Sequence, residues 1–195
     1  MDRPHGGQSA VTVLMEALEE NPVLGRISAA VGPAVDQVFG DGPVGSALRG
    51  RSIGHALHPL LVQLPIGALV SAIVLDATQG PRAARQSSLL TGLACLSVVP
   101  AVTSGLAEWA KADDRTQRVG IAHAACNVVG ATAAVASWAA RRGRWSVAGA
   151  VLSGIAGTAI GVGGLLGGHL SLVRKYASHD RPSNLDGTLR GQYVG

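Results

Sequence analysis

Gly54-His55-Ala56-Leu57-His58-Pro59-Leu60-Leu61-Val62-Gln63-Leu64-Pro65-Ile66-Gly67 is the stretch from which the rest of the chain is read. It opens on two histidines and enters an apolar segment that stays uncharged until Asp76. The 16 Lys and Arg and the 12 Asp and Glu avoid four windows: Ser52 to Leu75, Gln86 to Ala107, Val119 to Ala140 and Trp145 to Val173. Each window is longer than the roughly 20 apolar residues that a helix needs to cross hydrocarbon about 30 Å thick. A soluble Ala/Gly-rich bundle would carry charges on its exposed faces every turn or so, and these windows carry none. The expected fold is all-α, a four-helix transmembrane bundle preceded by an amphipathic surface helix.

Composition alone does not reach this result, because a 47% hydrophobic content is shared by many soluble proteins. The net charge of +4 suits nucleic acid in principle, but aromatics are only 3% and the basic residues sit in short clusters beside the apolar windows. Juxtamembrane anchoring accounts for them, so the partner expected is the lipid bilayer and not nucleic acid. Cys95 and Cys126 both fall inside spans, at depths about 8 Å apart by helical rise. That separation is too large for a disulfide, and they read as small core residues.

Three regions follow: residues 1–50, an N-terminal tail with short amphipathic helices; 51–173, the four-span domain; and 174–195, a polar tail read as loop or disorder. The first residues, to about Gln8, carry no recognisable secretory signal and read as disordered. Ala10 to Glu20 forms a short helix broken at Asn21-Pro22, and Val23 to Phe39 repeats its apolar residues at helical spacing, as a helix on the membrane surface or over the bundle end does. Gly40 to Gly45 reads as a turn. The spans are expected from about His58 to Thr78, Ser87 to Trp109, Val119 to Ala140 and Trp145 to about Leu172. Pro59 fits a first helical turn. Pro65 is expected to release the Leu61 carbonyl and bend the first span.

Short loops impose an up-down-up-down bundle. The start of span one, the end of span two, the start of span three and the end of span four then share one membrane face, which places His55, His58, Glu108, His123 and His169 at one level. Ionisable groups at that depth are costly and are functional candidates. Three readings stand side by side. In the first, His58, His123, His169 and Glu108 ligate a transition metal. In the second, b-type haem is held between two axial histidines, His58 or His55 with His123 or His169, with the glycines beside His169 leaving room for the macrocycle. In the third, the histidines are structural, capping helices and bonding neighbouring carbonyls. At the opposite surface Asp76 lies near Arg82, Arg85 and Arg141, and an interfacial ion pair is its ordinary explanation. The Gly-x-x-x-Gly pairs of span four (Gly157 and Gly161, Gly163 and Gly167, Gly164 and Gly168) permit close helix packing, or a homodimer through a second glycine face. No phosphate loop, Ser-His-Asp set, paired catalytic carboxylates or Cys-x-x-Cys motif is present, and the sequence leaves open whether the protein is an enzyme.

The string GHALHPLLVQLPIG (54–67), followed in order by SGLAEW (104–109), HAACN (123–127) and GGHL (167–170), resembles a bacterial membrane family catalogued as domain of unknown function 2231. The resemblance covers about residues 50 to 172 and implies a four-span bundle. Some relatives are joined to a Rieske iron–sulfur domain, which implies a redox-protein partner, although two cysteines here are too few to ligate such a cluster. Many relatives carry a further histidine where Gln63 stands. The functional expectation is a membrane-anchored redox or metal-binding subunit using His58, His123 and His169 with His55 and Glu108 in support; the alternative is a cofactor-free structural subunit or scaffold. The histidine face gathers Arg49, Arg51, Lys111, Arg115, Arg118, Arg174 and Lys175, which points to a multi-pass cell-membrane protein with both termini cytoplasmic.

Overall fold

The computed structural model describes residues 9–142 and 144–173. The disordered start and the polar C-terminal tail expected from the sequence lie outside the described residues. The helices are α1 (Ala10–Glu20), α2 (Pro22–Phe39), α3 (Pro43–Leu48), α4 (His58–Leu61), α5 (Gln63–Thr78), α6 (Ala84–Trp109), α7 (Asp114–Arg141) and α8 (Val147–Gly168). Short 3-10 turns at Arg51–Ile53 and Gly80–Ala83 and a π-turn at His169–Val173 complete the path, and no strand occurs among the described residues.

Local chemistry sets these boundaries. Asn21 ends α1 and caps α2, its Oδ1 accepting the Val23 and Leu24 amides at 2.9 and 3.2 Å, with Pro22 at the start where a missing N–H costs nothing. Asp113 caps α7 through the Arg115 and Thr116 amides, both at 3.0 Å. Ser146 caps α8. The expected bend at Pro65 is instead a break three residues earlier, at Val62, which separates α4 from α5. Pro65 thereby falls in the first turn of α5, where its missing amide breaks no helical bond. Gly40 to Gly45 is a turn only as far as Gly42, because Pro43 starts the short helix α3.

Four segments, His58–Thr78, Gly80–Trp109, Asp114–Arg141 and Val147–Ser171, are long and apolar enough to cross a membrane. α5 packs on α6, α6 on α7, α7 on α8, and α8 back on α5, so the spans form a ring in sequence order with α5 and α7 on a diagonal. The interior is built of small residues: Ala68, Ala72, Ala94, Ala101, Ala134 and Ala156 are buried, as are the hydroxyls of Thr91, Ser104, Ser137 and Ser153. The large apolar residues face outward, among them Leu60, Leu89, Leu96, Val99, Val128 and Val151, each more than half exposed. Small inside and large outside inverts the pattern of a water-soluble core. It suits helices that meet by close backbone approach while their branched side chains face lipid.

The N-terminal helices close one end of the ring, α1 and α2 both against α7. Met15 of α1 is a fully buried knob among Val119, Leu166 and Leu170. Arg118 Nη1 donates to the Glu19 carbonyl at 2.9 Å, and Ser28 Oγ donates to Gln117 Oε1 at 2.8 Å. Arg49, also buried, donates through Nη1 to the carbonyls of Phe39, Gly40 and Ala107 and so ties the end of α2 to the end of α6. Outside the spans, Lys111 Nζ lies 2.8 Å from Asp36 and 2.9 Å from Asp41. Its hydrogen bond and charge hold the Asp41 carboxyl below the usual carboxylate range, and Asp36 and Asp41 in turn raise the Lys111 ammonium.

Candidate functional site: a histidine pair on glycine seats

His58 is the first residue of α4, and its ring lies across the ring of helices from His123 of α7. The two centroids are 6.3 Å apart and the planes cross at 82°, edge to face. His58 Nδ1 is 2.8 Å from the Ala101 carbonyl of α6, an acceptor only, so Nδ1 carries the proton and donates. Ser104 Oγ donates to the same carbonyl at 2.8 Å. His58 Nε2 is therefore a lone-pair nitrogen, and no hydrogen bond reaches it among the described residues. The ring rests on Gly105, where an added Cβ would come within 2.9 Å of Cε1.

His123 repeats the arrangement against α8 and then completes it. Its Nδ1 donates to the Gly163 carbonyl at 2.8 Å, and its Nε2 accepts from Asn127 Nδ2 at 2.9 Å. The same amide nitrogen of Asn127 donates to the His123 carbonyl at 2.9 Å. The His123 ring rests on Gly167, whose added Cβ would lie 3.0 Å from Cε1, and Asn127 packs against Gly163. Glycine at 105, 163 and 167 thus has a steric purpose, because each leaves the volume that a polar side chain of the next helix fills.

Three further residues expected at this level take other places. Glu108 is buried, its carboxyl facing the backbone N–H of His58, while its Oε1 has no hydrogen-bond partner. His169 turns to the N-terminal helix, its Nε2 3.2 Å from Glu19 Oε1. His55 is exposed and does not join the pair. Gln63 is exposed and donates to the Pro59 carbonyl at 3.4 Å. The expected convergence thus holds for His58 and His123, with Glu108 at the His58 backbone, and not for His55 or His169. Among the described residues no group of three or more His, Cys, Asp or Glu is placed to hold a metal ion. Axial ligation of a haem by His123 does not fit this arrangement. His123 keeps no free ring nitrogen, and the glycine space at Gly167 is filled by the His123 ring.

A second polar cluster lies at the far end of the bundle. Arg141, 1% exposed, holds Asp76 of α5 through Nη1 and Nη2, the first at 2.9 Å, and reaches Ser153 of α8 through Nη2 at 3.0 Å and Ser137 through Nε at 3.2 Å. Ser137 Oγ also donates to the Gly149 carbonyl at 2.6 Å. The expected ion pair of Asp76 is present, with Arg141 as its partner, and its two side chains are shielded from solvent by the bundle. Sequence reasoning missed Ser137, Ser153, Glu19 and the carbonyl clamp of Arg49. The spacing of Ser137 four residues before Arg141 was the one available signal, since that interval stacks two side chains on one helix face.

These features define a multi-pass, all-helical membrane protein with a small-residue core and polar groups pinning its helices. The chain belongs to the predicted membrane protein family known as domain of unknown function 2231, whose sequence profile matches residues 54–179. Comparison with curated proteins and with solved structures gave no significant match.

Proposed function

We propose that the protein is a cofactor-free structural subunit of the membrane, a rigid helical platform in which the histidines act as interhelical pins. One observation carries this reading: both ring nitrogens of His123 are already engaged, one by the Gly163 carbonyl of α8 and the other by Asn127. A neutral imidazole so satisfied needs no metal, and inside a bilayer each such bond ties helices that have no hydrophobic force to hold them together. His169 Nε2 is held by Glu19 Oε1 of α1 at 3.2 Å.

The second reading, a site for a transition metal, is favoured by two open donors, His58 Nε2 and the buried Oε1 of Glu108. A carbonyl on Nδ1 is also the usual outer partner of a metal-ligating histidine. A redox-protein partner belongs to that reading alone. A homodimer through α8 would use Gly154, Gly161 and Gly164, where an added Cβ would meet nothing within 4 Å among the described residues. Both termini are assigned to the cytoplasmic side of the cell membrane, on the basic residues of the histidine face.

The test is metal analysis and an absorption spectrum of the full chain in mild detergent, with the same spectrum taken on the membranes before extraction. The platform reading expects no stoichiometric metal and no haem absorption in the purified chain, and no haem absorption in the membranes above that of membranes without the protein. One metal per chain, lost in both His58→Ala and Glu108→Gln, would overturn it in favour of the metal site.

A further inference from the structure

The tethers of α2 leave one of its faces without a partner among the described residues. Ser28 points inward to Gln117, and Arg49 and Lys111 hold the far end through Phe39, Gly40, Asp36 and Asp41. With the roll of the helix so set, Val23, Ile27, Val31 and Val38 form a strip beside the buried face, exposed by 49, 41, 39 and 60%. At about 100° per residue, Arg26, Ala29 and Asp36 lie on the other side, and all three are exposed. An amphipathic helix therefore presents three sectors: one on the bundle, one apolar and open, one polar.

Two observations say what covers the open sector. Gln117, which holds Ser28, comes two residues before the neutral run that starts at Val119, so α2 lies about 3 Å along the helix axis from that boundary. The exposed apolar surface also continues along the chain from Val38 through Val44 (57%), Ile53 (58%) and Leu60 (63%) into the outward face of the first span. We infer that α2 is an in-plane membrane helix, with the strip Val23, Ile27, Val31 and Val38 seated in the boundary between headgroups and acyl chains of the bilayer that the four spans cross. Glu16, Glu20, Asp36, Asp41 and Asp114 are exposed at this end of the bundle. Arg26, Arg51, Lys111 and Arg115 are exposed there too, so the two signs nearly balance and the contact is made by apolar burial. The inference rests on the spanning bundle and is independent of whether the histidines hold a metal.

The test uses the full chain with Cys95→Ala and Cys126→Ala, reconstituted in purely zwitterionic phosphatidylcholine vesicles. Single cysteines at Ile27→Cys and Val31→Cys are compared with Ala29→Cys on the opposite side and with Leu64→Cys, an outward position of the first span, each bearing a nitroxide. Labels at 27 and 31 are expected to collide several-fold more with oxygen, which concentrates in lipid, than with a water-soluble nickel chelate, and the label at 29 to show the reverse. If 27 and 31 read as aqueous while 64 reads as lipid, the in-plane helix is overturned and the spanning bundle stands. If 64 also reads as aqueous, the bundle itself is overturned. Shielding of 27 and 31 from both reagents with dipolar broadening between labels would instead mean that a second copy covers the strip, which also overturns the proposal.

Discussion

Glycine 167 shows how single residues tune this protein. Ala at that position places a methyl 3.0 Å from the His123 ring, whereas Ala at Gly161 meets nothing. Overpacking costs about 1–3 kcal/mol and the better helix propensity of Ala returns up to about 1. Gly167→Ala is therefore expected to lose about 1 kcal/mol net, and Gly161→Ala to be neutral or slightly stabilised, read as midpoint shifts in detergent unfolding titrations. Asn127→Leu removes the donor to His123 Nε2 and is expected to cost about 1 kcal/mol on the same scale. The sequence places His123 and Asn127 one turn apart on a helix face shared with Gly130 and Ala134, a small and polar set that suits a helix interface. It did not show that they bond to each other, because that depends on which nitrogen the Gly163 carbonyl of another helix claims first.

At the scale of elements, the two ends of the bundle are held by different chemistry. At the Asp76 end, a guanidinium without solvent contact joins α5, α7 and α8. Asp76→Ala leaves that charge unpaired and is expected to destabilise by about 3–5 kcal/mol, whereas Asp76→Leu combined with Arg141→Met is expected to recover most of the loss. A double-mutant cycle in the same unfolding assay measures the difference. At the α2 end, the Lys111 clamp is exposed and responds to pH. Asp41, held below its ordinary range, contributes fully above that range and loses its contribution as pH falls through the lowered value. Lys111, held above its range, contributes fully below it and loses its contribution as pH rises through the raised value. The clamp is thus level across neutral pH and opens at both extremes. The Gly40 amide, bonded to the Asp36 carbonyl at 2.7 Å, is expected to lose protection in acid beyond the intrinsic pH trend. In Lys111→Met it is expected to be weakly protected already at neutral pH, as hydrogen exchange of the full chain would report.

At the scale of the whole molecule, the chain is a ring of four spans closed at one end by helices α1 and α2. A cytoplasmic N-terminus predicts that Arg115→Cys, in the first turn of α7, resists an impermeant thiol reagent applied to intact cells while Gln79→Cys, beyond the first span, reacts. The opposite pattern would invert the assigned topology. Polar groups are concentrated in two layers, His58 to Asn127 near one end and Asp76 to Ser153 near the other. The buried Ala68, Leu69, Ala94, Ala133, Ala134 and Ala156 form one apolar cluster in the bundle. A second apolar cluster joins Met15 of α1 to Val119, Leu166 and Leu170.

Charge-free length and apolar spacing were enough to read the four spans and the helices α1 and α2 from the chain alone, because hydrocarbon excludes charge over a fixed thickness and a half-buried helix repeats its apolar residues about every 3.6 positions. The common level of His58 and His123 also followed, since short loops leave few ways to order four helices. Tertiary structure decided the rest. His169 faces Glu19, His55 stays outside, Pro65 lies in a new first turn, and the Arg141–Asp76 pair is buried. Each depends on the roll of one helix against another, to within a fraction of a turn. That roll is set by which glycine leaves space for which side chain, and no spacing within a single segment records it.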